Sequence, residues 1–246
     1  SGAEVSTITI TGIDTPATGA TPDKSASTST AGINLGTISW NTGSESTFNA
    51  GTRYTVTIPV TNKSGYTFAS SLSATVNGKT ASANKIGNTV VVSYQFDATA
   101  TASPVSDIKC ELEEPKASNT PAKSVDFTNQ AGKLKSTVTW DTKDTKFVLG
   151  KKYTATVVIE PTNEKAYPIT SPVTLKCNGD SIKDFKLDGQ KITFTYAFGE
   201  TQPKGTADIL SFTVNAPVAG QNPNSSVRIN AHTDKITATL AWDTTS

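Results

Sequence analysis

The feature that most constrains this chain is that one stretch of it occurs twice. Phe48–Phe68 returns about a hundred residues further on as Phe147–Ile169. In both, a glycine turn (Gly51, Gly150) leads into a segment opened by tyrosine (Tyr54, Tyr153) in which apolar and polar residues alternate, and a second aromatic (Tyr66, Tyr167) follows. A chain that repeats a pattern at this spacing builds the same unit more than once, so the search is for the unit and its number. Alternation with period two is the mark of a strand with one buried and one wet face.

Other segments extend the repeat. Ile8–Ile13 alternates and is followed by Pro16 and Pro22. Ile108–Leu112 is followed by Pro115 and Pro121, and Leu210–Val214 by Pro217 and Pro223. The two prolines keep the same spacing each time. Beyond each pair a short segment ends in tryptophan, at Trp40, Trp140 and Trp242, and reads as a strand. The rest of the unit occurs only twice: the tyrosine strand, a strand ending in Asn77-Gly78 or Asn178-Gly179, and a closing strand over Val90–Phe96 or Ile192–Phe198. Asn-Gly between alternating segments signals a two-residue hairpin turn.

No segment shows a helical period, methionine is absent, and threonine, serine, valine and asparagine abound, so the expected class is all-β. Short strands with turn signals every 8–12 residues in units of about 100 residues match an Ig-like β-sandwich. The expected domains are 1–100, 101–202 and a partial third unit, 203–246, holding opening strands only. The boundaries fall near Ala98–Pro104 and Thr201–Gly205. For the partial unit three readings compete: a longer array cut short, a cap packed on the second unit, or a segment that pairs with a neighbouring molecule.

Several motifs of the first unit carry a resemblance: Ala50-Gly51-Thr52 with Tyr54–Ile58, Ser64–Phe68, Val76-Asn77-Gly78 and Val91–Phe96. They resemble the Ig-like tandem repeats of large secreted and cell-surface proteins of Gram-positive bacteria, often found with S-layer-homology or carbohydrate-active modules. The second unit is further from the pattern, with Ala166-Tyr167-Pro168-Ile169 where the first has Gly65–Phe68. The resemblance implies an extracellular or cell-surface setting and a role as spacer, stalk or adhesive module, and it carries over no catalytic residue.

The charge balance, 22 basic against 21 acidic residues, gives no excess to draw the chain to nucleic acid or an anionic membrane. No apolar run reaches the length of about 18 residues that spans a bilayer, so membrane insertion is not expected. The Ser-Gly-Ala start lacks the basic and apolar regions of a signal peptide.

Candidate chemistry is sparse. Cys110 and Cys177 both fall in the second unit, on the apolar phase of expected strands, where the first unit has Ile10 and Val76. Two facing core positions would allow a structural disulfide, contributing about 3–4 kcal/mol in an oxidising compartment. Two buried thiols are the competing reading. No cysteine or histidine spacing suggests a metal site, and no cofactor is expected.

His232, the single histidine, reads as an exposed loop or edge residue, and Glu111, Glu113 and Glu114 as a solvated strand edge. Asp141 and Asp144 form no calcium-loop pattern. The tryptophans and tyrosines recur at equivalent positions, which commits them to the scaffold rather than to a ligand. Phe127 and Phe185 have no aromatic counterpart in the first unit and are the candidate ligand contacts, for a glycan.

The expected function is therefore non-catalytic: a structural spacer of a surface protein, working beside neighbouring repeats of its own chain. The alternative is an adhesive or carbohydrate-binding module that recognises a glycan or a cell-surface protein.

Overall fold

The structure is a computed structural model and describes residues 2–203, 211–230 and 236–242. Among these there is no helix, and the protein is all-β, as the composition leads one to expect. His232 lies outside the described residues, as does Leu210.

The strands are, in order, β1 (Ala3–Thr11), β2 (Ser27–Thr28), β3 (Ile33–Leu35), β4 (Ser39–Trp40), β5 (Thr55–Asn62), β6 (Tyr66–Val76), β7 (Lys79–Ile86) and β8 (Thr89–Gln95). In the second hundred residues come β9 (Val105–Glu111), β10 (Asp126–Phe127), β11 (Leu134–Trp140), β12 (Lys152–Pro161), β13 (Ile169–Cys177), β14 (Asp180–Ser181), β15 (Phe185–Asp188) and β16 (Lys191–Glu200). Last are β17 (Phe212–Thr213) and β18 (Arg228–Ile229), an isolated antiparallel pair.

The chain divides into two compact units: 1–111 with 127–136 and 159–192, and 112–126 with 137–158 and 193–246. Strands β10, β11, β12 and β16 contribute residues to both.

In the first unit β1–β8 form one eight-stranded sheet, ordered β2-β1-β6-β7-β8-β5-β3, with β4 also on β5. Strand β7 pairs with β6 through residues 79–81 and with β8 through residues 82–86. One strand thus hands the ladder from one set of strands to the other, and the sheet curls until it is nearly barrel-like. The alternation of β5 puts Val56, Ile58 and Val60 wholly inside, against Ile8, Ile10, Val76, Val90 and Val92. Each such side chain contributes about 1.5–3 kcal/mol by leaving water.

Both Asn-Gly pairs are two-residue hairpin turns with positive φ at each residue: Asn77 49° and Gly78 76°, Asn178 51° and Gly179 86°. They close Val76 onto Lys79 and Cys177 onto Asp180. The right-handed twist of paired strands favours this turn, and asparagine tolerates the conformation.

The first strand of each hundred runs parallel to the strand that ends at the Asn-Gly turn. In the first, β1 lies along β6, with Ile10 opposite Val76; in the second, β9 lies along β13, with Cys110 opposite Cys177. Both pairs carry a register shift in mid-strand. The remaining strands of the second hundred form sheets ordered β10-β9-β13-β14 and β11-β12-β16-β15.

One expected strand is not formed. Residues 236–242, which read as a strand ending at Trp242, have no regular structure. Around Trp40 the corresponding strand is held by the tyrosine strand β5, whereas among the described residues no strand pairs with 236–242. Trp242 keeps one contact its counterparts make, an indole N–H donated to a backbone carbonyl, here that of Asn224.

Candidate functional site

Around Trp40 the residues that repeat in sequence gather into an aromatic cage. Its ring lies edge-on to Phe48 at 5.1 Å and stacks with Phe96 at 5.7 Å, while Phe48 meets Tyr54 at 4.6 Å. Trp40 Nε1 donates to the Asp23 carbonyl at 2.8 Å, just past the second proline. The Tyr54 hydroxyl accepts the Asn49 backbone N–H at 2.7 Å.

The second unit repeats this with Trp140, Phe147, Phe198 and Tyr153 at 4.9, 5.7 and 4.8 Å. Trp140 Nε1 bonds the Ala122 carbonyl at 2.8 Å, and the Tyr153 hydroxyl accepts the Val148 N–H at 2.9 Å. A tryptophan with its N–H satisfied and its ring covered in this way is a scaffold residue with an apolar body.

Neither indole is fully enclosed, however. Trp40 lines a shallow groove of about 310 Å³ with Pro22, Lys24 and Glu45. Trp140 lines one of about 510 Å³ with Pro121, Lys123 and Asp144. Thus part of each half-buried tryptophan faces a groove, whereas the sequence pattern points to Phe127 and Phe185 as the ligand contacts. Phe127 and Phe185 are half-buried and sit in different sheets, on β10 and β15, and neither lines a groove described here.

Cys110 and Cys177 are brought together. They are Cα partners in the parallel β9–β13 pair, with 2% and 0% of their surface exposed. Both are thiols in this structure. Cys110 Sγ donates to the Lys176 carbonyl at 3.5 Å. Its thiol is pushed far above the usual range by its hydrogen bond with Cys177, then by burial and by the electrostatic influence of Cys177. A thiol held protonated is a poor nucleophile and a poor metal ligand. Among the described residues no three His, Cys, Asp or Glu side chains converge as a metal site would require.

Two features went unnoticed in the sequence. The first is a threonine three residues past the closing phenylalanine, inside what reads as a linker. Thr99 and Thr201 are 5% and 3% exposed. Thr99 Oγ1 donates to the Asn49 carbonyl at 2.5 Å and accepts the Thr52 N–H at 3.1 Å. Thr201 Oγ1 makes the equivalent bonds to the Val148 carbonyl and from the Lys151 N–H. The recurrence of Thr after Phe96 and Phe198 was the available signal.

The second feature is a latch within the compact unit that holds residues 1–111 and 159–192. Asn163 Nδ2 donates to the Thr18 carbonyl at 2.8 Å, while its Oδ1 accepts the backbone N–H of Lys165 and of Ala166, each at 3.1 Å. Lys165 Nζ donates to Glu45 Oε2 at 2.8 Å and to the Thr47 carbonyl at 3.0 Å. Gly19 makes the close approach feasible: a Cβ there would lie 2.5 Å from the Asn163 amide, and its φ of +79° suits glycine. The connecting chain is fastened as well, with the Ser103 N–H on the Ala166 carbonyl at 2.7 Å and the Val105 N–H on the Pro168 carbonyl at 2.8 Å.

No protein-family model, curated protein or solved structure matches this chain.

Proposed function

We propose that the chain is a non-catalytic structural spacer built of tandem Ig-like β-sandwich modules, 1–100 and 101–202, with a partial third over 203–246, from an extracellular bacterial surface protein. The latch carries this reading. A linker of small polar residues such as Ala98–Pro104 would by itself allow adjoining modules to swing. Here that stretch is hydrogen-bonded on both sides, through Thr99 and Ser103, and Asn163 and Lys165 reach back to Thr18, Glu45 and Thr47. Fixing the angle at a junction is what a spacer requires and what a freely jointed tether does without.

The test is the angular freedom between residues 1–100 and 101–202, read from residual dipolar couplings of the full chain and of Asn163→Ala/Lys165→Ala. The expected result is one alignment tensor for both segments in the parent chain and two in the variant. Two tensors in the parent chain would reject the rigid spacer.

A second reading, a module that recognises a glycan or a cell-surface protein, is favoured by the groove beside Trp140. There an indole, Pro121 and Ala122 lie next to Lys123 and Asp144, an apolar platform with polar groups at its margin. Binding to a glycan panel that is lost in Trp140→Ala but kept in Phe127→Ala and Phe185→Ala would establish it in place of the spacer.

A further inference from the structure

We infer that Cys110 and Cys177 form a disulfide across the parallel strands β9 and β13, and that it closes while the chain folds rather than afterwards. The register supports the bond. The two residues are direct Cα partners, and neighbouring strands lie about 4.8 Å apart, within the Cα separation of about 4.4–6.8 Å that a disulfide bridges. Both side chains are buried and each is in hydrogen-bonding contact with the other.

The corresponding position in the first hundred residues, Ile10 opposite Val76, is equally buried and filled by hydrocarbon. The fold therefore needs no sulfur there, and packing alone does not account for cysteine on both strands.

Burial sets the timing. In the folded protein neither thiol is open to a reagent, and Cys110 is not held as the thiolate that exchange requires. Exchange must precede the sealing of β9 against β13. One cysteine thiolate attacks a small disulfide RSSR, forming a mixed disulfide and releasing RS⁻. The second thiolate then attacks the sulfur of that first cysteine and releases another RS⁻. Two electrons pass from the cysteines to the reagent, and the two protons lost by the cysteines end on the two RSH. Glutathione disulfide is the reagent for the test.

The full chain, reduced and unfolded in denaturant, is refolded with glutathione disulfide, unfolded again, alkylated and weighed. A second sample, folded in reductant and freed of it, meets the same disulfide without denaturant. The first should take up no alkyl group and weigh two hydrogens less, and the second should take up two. Reduction should lower the thermal midpoint of the bonded protein by on the order of 5–10 °C.

Two alkyl groups in the refolded sample would overturn the bond, and a bond formed without denaturant would overturn its timing. Cys110→Ile/Cys177→Val, which installs the residues of the first hundred, should fold with one midpoint in oxidising and reducing buffer. A reductant-dependent shift persisting in that variant would assign the effect elsewhere and reject the bond as its cause.

Discussion

Around Trp40 and around Trp140 the rings meet at nearly the same separations, 5.1 against 4.9 Å to the phenylalanine at the turn and 5.7 Å to the closing phenylalanine in both. The indole N–H reaches a backbone carbonyl at 2.8 Å in both, and a buried threonine ties the exit of each to its glycine turn. Away from this cage the regions diverge. The first has Ile10 and Val76 where the second has two cysteines, and Gly19 where the second has Ser118, whose φ is also positive, at 68°. The cage does the same job in both places, while the surrounding residues are free to take on separate tasks.

The largest effect should come from breaking the cage. Tyr54 and Tyr153 are 2% and 1% exposed, and replacing either by alanine removes a buried ring and the hydroxyl that accepts a backbone N–H, at about 3–5 kcal/mol. Hydrogen exchange read peptide by peptide checks it. Tyr54→Ala should deprotect β5 and β8, and Tyr153→Ala should deprotect β12 and β16. Equal losses in all four strands from one substitution would show that the two cages do not act separately.

How far these features could be read beforehand follows from their range along the chain. The Asn-Gly hairpins and the alternation of β5 are local, dictated by φ preference and by one face meeting the core, and both were legible. The parallel pairing of β1 with β6 joins segments more than fifty residues apart and leaves no local mark. Thr99 looked like linker because a threonine is buried or wet according to what folds around it. Asn163 and Lys165 carry no local signal, since their acceptors on Thr18, Glu45 and Thr47 come from another part of the sequence. The segment at Trp242 reads as a strand on its own pattern, yet a strand also needs a neighbour.

A smaller effect separates the two turns near the first proline of each region. Gly19→Ala adds a methyl 2.5 Å from the Asn163 amide in a left-handed conformation, and should cost about 1–2 kcal/mol from the backbone alone. Ser118→Gly should move the other way and stabilise by up to about 1 kcal/mol, because serine there already bears that strain. Denaturant midpoints of the two variants are expected on opposite sides of the parent. Midpoints on the same side would mean that the two turns are not equivalent in conformation.

The smallest effect concerns an acidic residue that the two regions place alike and use differently. Glu45 is bonded by Lys165, 120 residues away, as part of the latch, whereas Asp144 is bonded by its near neighbour Lys151 at 3.3 Å. That lysine, and next a hydrogen bond with the Thr142 side chain, hold the Asp144 carboxyl below the usual carboxylate range. A carboxyl whose pKa is lower folded than unfolded favours the folded state while it is ionised. Its contribution is complete above the unfolded value and is lost as the pH falls through the folded one. Asp144→Asn should therefore leave the neutral denaturation midpoint nearly unchanged, since the pair is exposed and screened by salt, and should slightly flatten the acid limb. Glu45→Gln should instead loosen Lys165 and raise exchange at Asn163–Ala166 at neutral pH. If Asp144→Asn opened a distant segment in the same way, the contrast between a local ion pair and a long-range latch would fail.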